Sequence, residues 1–172
     1  MEKVLIEIEM ENGEVMKGEL YPEVAPITVN NFLKLIDEDF FAGLIFHRVI
    51  PGFMIQGGGY DKELREKRCA AIKGEFASNG VKNDLKHTEG VLSMARSQSK
   101  NSAGSQFFIM TADATHLDGL YAGFGKVTKG MDIVHNIENT ETLPGDRPSE
   151  DVIIESIKVD TKGENYPEPN KL

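Results

Sequence analysis

An arginine and a glutamine stand in a stretch of the chain that is otherwise apolar. Residues 46–58 are rich in Phe, Val, Ile and Met, and Arg48 and Gln56 interrupt them. A charge without a partner is costly to remove from water, so an arginine in such surroundings needs a physical reason. If the stretch opens as a strand, the alternation of side chains places Arg48 on one face with Phe46 and Ile50. The pattern predicts an apolar wall that carries one fixed cation and one amide.

A structural interpretation of the same residues stays open on this evidence. Arg48 could cap the end of a barrel or pair with a surface carboxylate. Phe53 and Met54, taken singly, are more typical of a core than of a binding site.

Motifs for other chemistries are incomplete or lacking. There is no G-x-x-x-x-G-K-[ST] phosphate loop, and Gly123 and Gly125 supply only two glycines of a dinucleotide fingerprint. The four histidines have no H-x-x-x-H spacing, and no serine lies in a G-x-S-x-G elbow. We therefore predict no metal and no cofactor, although a composite metal site or a Ser-His-Asp triad built from distant residues stays open.

Composition narrows the class of protein. The 172 residues suit one domain, and 19 basic against 28 acidic residues give a net charge of −9. An acidic chain repels phosphate, so we expect no nucleic-acid partner. Cys69 is the single cysteine and excludes an intrachain disulfide. Without a signal-peptide pattern or an apolar run of ~20 residues, we expect a cytoplasmic protein with no membrane segment.

Hydrophobic periodicity predicts the elements that must position these residues. Residues 4–10 alternate as a strand, Asn12-Gly13 suits a tight hairpin turn, and residues 15–21 return. Pro26 opens a helix with an apolar stripe, and a second helix follows Gly130. Six more short apolar runs complete the pattern: 46–50, 53–56, 91–95, 106–111, 121–127 and 152–159, the last with a bulge at Glu155.

About eight strands with two helices predict a mainly β fold, either a sandwich or a closed barrel. Residues 60–90 and 97–104 lack a period and are predicted to be surface loops. We predict one domain over residues 1–162 and a C-terminal extension over residues 163–172.

Several motifs together resemble the cyclophilin family of peptidyl-prolyl cis-trans isomerases. They occur in the family's order and approximate spacing: 46–58, Leu92-Ser93-Met94-Ala95, Gly104-Ser105-Gln106-Phe107-Phe108-Ile109, Leu117-Asp118-Gly119 and Phe124-Gly125-Lys126-Val127. The resemblance extends from about residue 4 to about residue 160. It implies a closed eight-stranded antiparallel β-barrel capped by two α-helices, which needs no metal or nucleotide.

The resemblance also implies roles for individual residues. Arg48 matches the catalytic arginine, and Gln56 and Gln106 match polar groups that orient it and hold the substrate backbone. The backbone of Ala95 matches the group that binds the peptide on the N-terminal side of the proline. The walls of the proline pocket match Phe53, Met54, Phe108 and Leu117.

Three positions depart from the best-known eukaryotic members and resemble bacterial ones. His116 replaces a tryptophan that contacts cyclosporin, so we expect weak cyclosporin binding. Tyr121 replaces a histidine at the pocket rim. Because tyrosine is also an aromatic residue with a polar tip, we expect the proline pocket to be intact. Arg96 replaces an asparagine and is predicted to change which residue is preferred before the proline.

The function that follows is isomerisation of X–Pro bonds in unfolded or flexible polypeptides by a monomeric folding helper. The alternative is a module that binds proline-containing segments with incidental turnover. The presence of Arg48, Gln56 and Phe108 favours the enzyme.

Overall fold

A computed structural model describes residues 4–172. This part of the chain contains eight strands and two α-helices. The strands are β1 (Val4–Met10), β2 (Val15–Leu20), β3 (Arg48–Ile50), β4 (Met54–Gly57), β5 (Val91–Met94), β6 (Phe107–Met110), β7 (Gly123–Lys129) and β8 (Ile154–Asp160). The helices are α1 (Pro26–Asp37) and α2 (Met131–Glu138). Neither helix is long or apolar enough to cross a membrane, and no other helix of residues 4–172 is.

The eight strands form one curled antiparallel sheet in the order β3-β4-β6-β5-β7-β2-β1-β8. The predicted closure of the barrel is wrong, because the sheet is open between β3 and β8. At this seam the pairing is an isolated bridge between Ile45 and Ile153, with three backbone hydrogen bonds between residues 43–46 and 152–154 and no ladder between β3 and β8. A run of turns precedes Leu44 and β3 has three residues, so the segment is too irregular to build a closing ladder.

The predicted strand irregularity near the C-terminus is confirmed. Glu9 pairs with Ser156, but its neighbour Met10 pairs with Ile154, so Glu155 is the extra residue of a bulge. The bulge explains why the alternation of apolar residues breaks there.

Helix α1 packs its apolar stripe into the concave face of the sheet. Phe32 is fully buried, and its ring centroid lies 5.0 Å from Phe41, 5.4 Å from Phe107 and 5.1 Å from Phe124. Burial of one such side chain contributes about 1.5–3 kcal/mol to stability. The helix therefore packs on the side of the sheet that holds the main core, and the smaller apolar cluster described below lies on the other side.

The N-terminus of α1 is capped from a distant part of the chain. The backbone N–H and hydroxyl of Thr28 both donate to Glu75 at 2.6 Å, and the N–H of Ile27 donates at 3.2 Å. Glu75 is 2% exposed and belongs to the predicted surface loop of residues 60–90. A carboxylate at a helix N-terminus is favoured by the unpaired N–H groups there, so this contact ties the loop to the core.

The C-terminal residues lie against the same region. Tyr166 packs on the core cluster, and the N–H of Leu172 donates to the carbonyl oxygen of Ala71 at 2.9 Å. The domain boundary after residue 162 stays a prediction, and residues 1–3 of the predicted domain lie outside the described residues.

Candidate active site

Arg48 and Gln56 face each other across the β3–β4 hairpin. They are register partners, and Nη1 of Arg48 donates to Oε1 of Gln56 at 3.3 Å. The strand begins at Arg48, two residues later than predicted, so Phe46 does not share its face. Phe46 instead lies in the core, with its ring centroid 5.9 Å from Phe107.

The hydrogen-bonded line continues from Gln56 to Gln106. Nε2 of Gln56 donates to Oε1 of Gln106 at 2.9 Å. Gly59 makes room for this arrangement, because a Cβ there would collide with the Gln106 side chain. The guanidinium of Arg48 is thus oriented through two amides, although Arg48 itself is solvent-exposed.

A cavity of about 230 Å³ lies beside this line. Its lining contains nine of the eleven residues predicted for the site: Arg48, Phe53, Met54, Gln56, Ala95, Arg96, Phe108, Leu117 and Tyr121. Met54 is 2% exposed and Phe108 5% exposed, and both belong to an apolar cluster separate from the main core. The structure therefore brings the arginine, the amide and the apolar walls together on the outer face of the sheet.

The two remaining predicted residues lie next to this cavity. Gln106 lines an adjoining cavity of about 430 Å³, which shares Gln56, Ala95 and Arg96 with the first. His116 stacks on Phe53 with ring centroids 6.0 Å apart and an interplanar angle of 25°. His116 therefore flanks a pocket wall rather than lining the cavity.

The rim residues Arg96 and Tyr121 hold each other. The Arg96 guanidinium lies 4.8 Å from the centroid of the Tyr121 ring, which meets Phe108 edge-on at 5.8 Å.

The adjoining cavity also contains Cys69, whose thiol pKa is raised by burial.

A Ser-His-Asp group lies behind the pocket, and no sequence pattern indicated it. Nε2 of His87 lies 2.8 Å from the hydroxyl of Ser93, and Nδ1 lies 3.1 Å from the carboxylate of Asp118. His87 and Ser93 are fully buried, so the serine cannot reach a substrate. His87 falls in the loop of residues 60–90, where no periodicity marks a buried side chain.

The charge state of this group follows from its surroundings. Burial lowers the pKa of His87 despite the neighbouring carboxylate. Partial burial opposes ionisation of Asp118, but hydrogen bonds from the backbone and ring of His87 outweigh it and lower the pKa of that carboxyl. The group therefore holds a neutral ring against an ionised carboxylate.

Residues 4–172 contain no cluster of three His, Cys, Asp or Glu side chains that could hold a metal ion. The donor groups near the cavity are instead the guanidinium groups of Arg48 and Arg96 and the amides of Gln56 and Gln106.

Comparison with known proteins decides what this arrangement is. Residues 5–159 match the family model of the cyclophilin type peptidyl-prolyl cis-trans isomerases. The chain belongs to this family. It is 48% identical over 144 residues to a peptidyl-prolyl cis-trans isomerase of Acinetobacter baylyi, covering 80% of this chain and 73% of the relative. It is 43% identical over 151 residues to peptidyl-prolyl cis-trans isomerase B of Escherichia coli, covering 81% and 90% of the two chains.

Solved structures agree with the fold of this cyclophilin. A cyclophilin-type isomerase of Cryptosporidium parvum superposes with a TM-score of 0.79 and 29% identity, covering 93% of this chain and 99% of the other. The same protein solved in the presence of the dipeptide Ala-Pro gives a TM-score of 0.77 and 30% identity, covering 91% and 99%. The activity of this cyclophilin is accordingly rotation about peptide bonds that precede proline.

Proposed function

We propose that Arg48 is the group that accelerates this rotation, and that Phe53, Met54, Phe108 and Leu117 hold the proline ring. The observation that carries the proposal is the line from Arg48 through Gln56 to Gln106 at the edge of the apolar cavity. The substrates are X–Pro segments of unfolded or flexible polypeptides, because a proline ring must be free of its own surroundings to enter the cavity.

The chemistry requires no bond to be broken. The planar X–Pro amide resists rotation with a barrier of ~18–20 kcal/mol. In the twisted transition state the nitrogen loses conjugation and gains a localised lone pair. A donor aimed at that lone pair binds the transition state more tightly than the planar ground state, which is the requirement for catalysis.

Arg48 is suited to this task because its orientation is fixed before the substrate arrives. Gln56 holds one guanidinium nitrogen, and Gln106 holds Gln56. The guanidinium is open to water in the free protein, and a bound peptide would cover it. One well-placed donor in a covered site contributes roughly 3–4 kcal/mol, or about a hundred- to a thousandfold in rate.

The backbone of Ala95 is the group that we assign to the substrate residue before the proline. Its N–H donates to the carbonyl oxygen of Gln106 at 3.0 Å, so the carbonyl is the Ala95 group we assign to the peptide. With the proline ring held by the walls and the preceding residue held at Ala95, the amide between them is free to rotate past Arg48.

The test replaces Arg48 with Lys, which keeps the charge but lacks the planar fork of the guanidinium. We expect activity on an X–Pro peptide to fall at least about tenfold while the fold is retained. Arg65→Lys is the matched control, because Arg65 is exposed and lies outside the cavity lining. Full activity of Arg48→Lys, measured by NMR exchange between the two isomers, would contradict the proposal.

We also propose that this cyclophilin acts as a monomeric folding helper in the cytoplasm. Its single cysteine suits a reducing compartment.

His116 lies beside Phe53 in place of a larger indole, which supports weak cyclosporin binding. We expect a Kd for cyclosporin far above the nanomolar range in a fluorescence titration, and a nanomolar Kd would contradict this expectation.

A further inference from the structure

Arg96 forms the partition between the two cavities of the site and lines both of them. Its Nε and Nη2 donate to the carbonyl oxygen of Leu120 at 3.3 and 2.8 Å. Its Nη1 donates to the carbonyl oxygens of Ser97 and Gln98 at 3.0 and 3.2 Å. Four hydrogen bonds to backbone oxygens hold this guanidinium in one orientation.

Two aromatic rings enclose the same group. The guanidinium carbon lies 4.9 Å from the ring centroid of Phe76 and 4.8 Å from that of Tyr121. Neither the rings nor the carbonyl oxygens cancel its full positive charge. Within residues 4–172, no carboxylate forms an ion pair with Arg96. The partition is therefore a fixed cation without a counter-charge.

The remaining charged side chains of the two cavities are also mostly basic. The combined linings hold four cations, Arg48, Lys67, Arg68 and Arg96, against one carboxylate, Glu66. Glu66 and Arg68 form an ion pair at 2.6 Å and offset each other, and the ammonium of Lys67 donates to the carbonyl oxygen of Phe40 at 2.7 Å. Arg48 and Arg96 are therefore the cations of the two linings that have no carboxylate partner in the described part of the chain. The chain as a whole carries a net charge of −9, so the site has the opposite sign to the molecule that carries it.

We propose that this cyclophilin selects proline-containing segments with an acidic side chain in one of the two positions before the proline. A carboxylate there would lie in or beside the larger cavity, close to the charge of Arg96 although the two rings cover the guanidinium faces. Repulsion from the distant acidic surface is screened beyond about 8–10 Å at physiological salt, so the local cations determine the preference. The proposal rests on the proposed placement of the proline among Phe53, Met54 and Phe108.

The first experiment compares peptides that differ at one residue. Ala-Glu-Pro-Phe is set against Ala-Gln-Pro-Phe, and Glu-Ala-Pro-Phe against Gln-Ala-Pro-Phe, with Ala-Ala-Pro-Phe as the reference. NMR exchange is used because it needs no coupled protease with its own specificity. We expect kcat/KM to favour Glu over Gln by about three- to fivefold in at least one pair, the range of a partly exposed ion pair. The ratio should shrink as NaCl rises from about 20 mM to about 500 mM.

Variants then assign the preference to its source. Arg96→Gln should bring the Glu-to-Gln ratio close to one, whereas Arg96→Lys should keep most of it. Arg68→Gln removes an exposed cation of the larger cavity and should lower the ratio for the Glu-Ala pair. Lys129→Gln is the charge-matched control, because Lys129 is exposed at the end of β7 outside both linings.

The outcomes separate this proposal from the proposed function. A Glu-to-Gln ratio of one in both pairs at low salt overturns the acidic preference, while turnover of Ala-Ala-Pro-Phe and its loss in Arg48→Lys leave the role of Arg48 intact. A ratio that survives unchanged in both Arg96→Gln and Arg68→Gln would equally overturn it. Full activity of Arg48→Lys would instead contradict the proposed function, whatever the ratio.

Discussion

The imidazole ring of His87 lies nearly parallel to the phenyl ring of Phe108, with centroids 6.2 Å apart and planes inclined by 22°. Phe108 lines the cavity that we propose as the proline pocket, and His87 is not part of that lining. Because Ser93 and Asp118 bind the two ring nitrogens, the plane of His87 is fixed. The orientation of the pocket wall thus depends on a polar group that no substrate can touch.

We predict that His87→Phe lowers both stability and activity. Phenylalanine keeps a ring behind Phe108 but leaves the buried Ser93 hydroxyl without a partner, which costs about 1–3 kcal/mol of unfolding free energy. We expect kcat/KM to fall severalfold because Phe108 is no longer held in one orientation. Urea unfolding and NMR exchange measure the two effects. Asp118→Asn keeps the ring and its Ser93 bond and should show a smaller loss of activity, and equal activity of His87→Phe and the native protein would contradict the prediction.

Glu138 anchors the turn that carries another pocket wall. Its Oε2 accepts from the N–H of Gly52 at 2.6 Å, and its Oε1 lies 2.8 Å from Nδ1 of His135. Gly52 has a φ of 74° in the turn between β3 and β4, directly before Phe53. Burial raises the pKa of Glu138, but hydrogen bonds from His135 and Gly52 outweigh it and lower the pKa, so the anchor is a carboxylate.

We predict that Glu138→Gln loosens this turn. A hydrogen bond to a charged group contributes about 1.5–3 kcal/mol, and the amide keeps only part of it. Since Phe53 is proposed to hold the proline ring rather than to act on the reacting nitrogen, KM should rise about threefold while kcat changes little. His135→Gln leaves the bond to Gly52 in place and serves as the control. An unchanged KM together with an unchanged Tm would show that the turn does not depend on Glu138.

Local patterns in the sequence predicted most elements of this fold because each pattern reports a local contact. The Asn12-Gly13 hairpin, the stripe of α1 and the bulge at Glu155 all follow from side-chain periodicity along one segment. The cavity residues were predicted by resemblance, and the structure brings nine of them to one cavity.

What the sequence could not predict depends on contacts between distant segments. Closure of the barrel depends on pairing at the seam near Ile45 and Ile153. The alternation of apolar residues in β3 and β8 does not indicate how many residues of the two strands pair. Glu75 and His87 lie in a loop without periodicity, and their partners are 47 residues away in α1 and 31 residues away at Asp118. The effect of Arg96 on substrate preference stays a prediction. The position of its guanidinium between two aromatic rings could not be predicted, because the rings come from distant segments.

The partly buried His47 makes the stability of the fold depend on pH. Its pKa is lowered to about 4 by burial and by the charge of Arg48. Its Nδ1 is buried with no hydrogen-bond partner in the described part of the chain, so nothing stabilises a proton there. The unfolded chain binds that proton near pH 6.5, whereas the folded protein does so near pH 4. Between these values the unfolded state holds more protons, and stability therefore falls as the pH falls through this window.

We predict that His47→Phe reduces this loss. The full effect of His47 is no more than about 3 kcal/mol, and Phe keeps a ring against Tyr60, 4.7 Å away in the native protein. The lowered pKa of His87 acts in the same direction, whereas the raised pKa of His135 opposes it, so both remain as a common background. Urea unfolding at about pH 7 and about pH 4.5 gives the loss for each protein. Exposed His116→Phe is the control, and a loss in His47→Phe as large as in the native protein would show that His47 does not set the acid sensitivity.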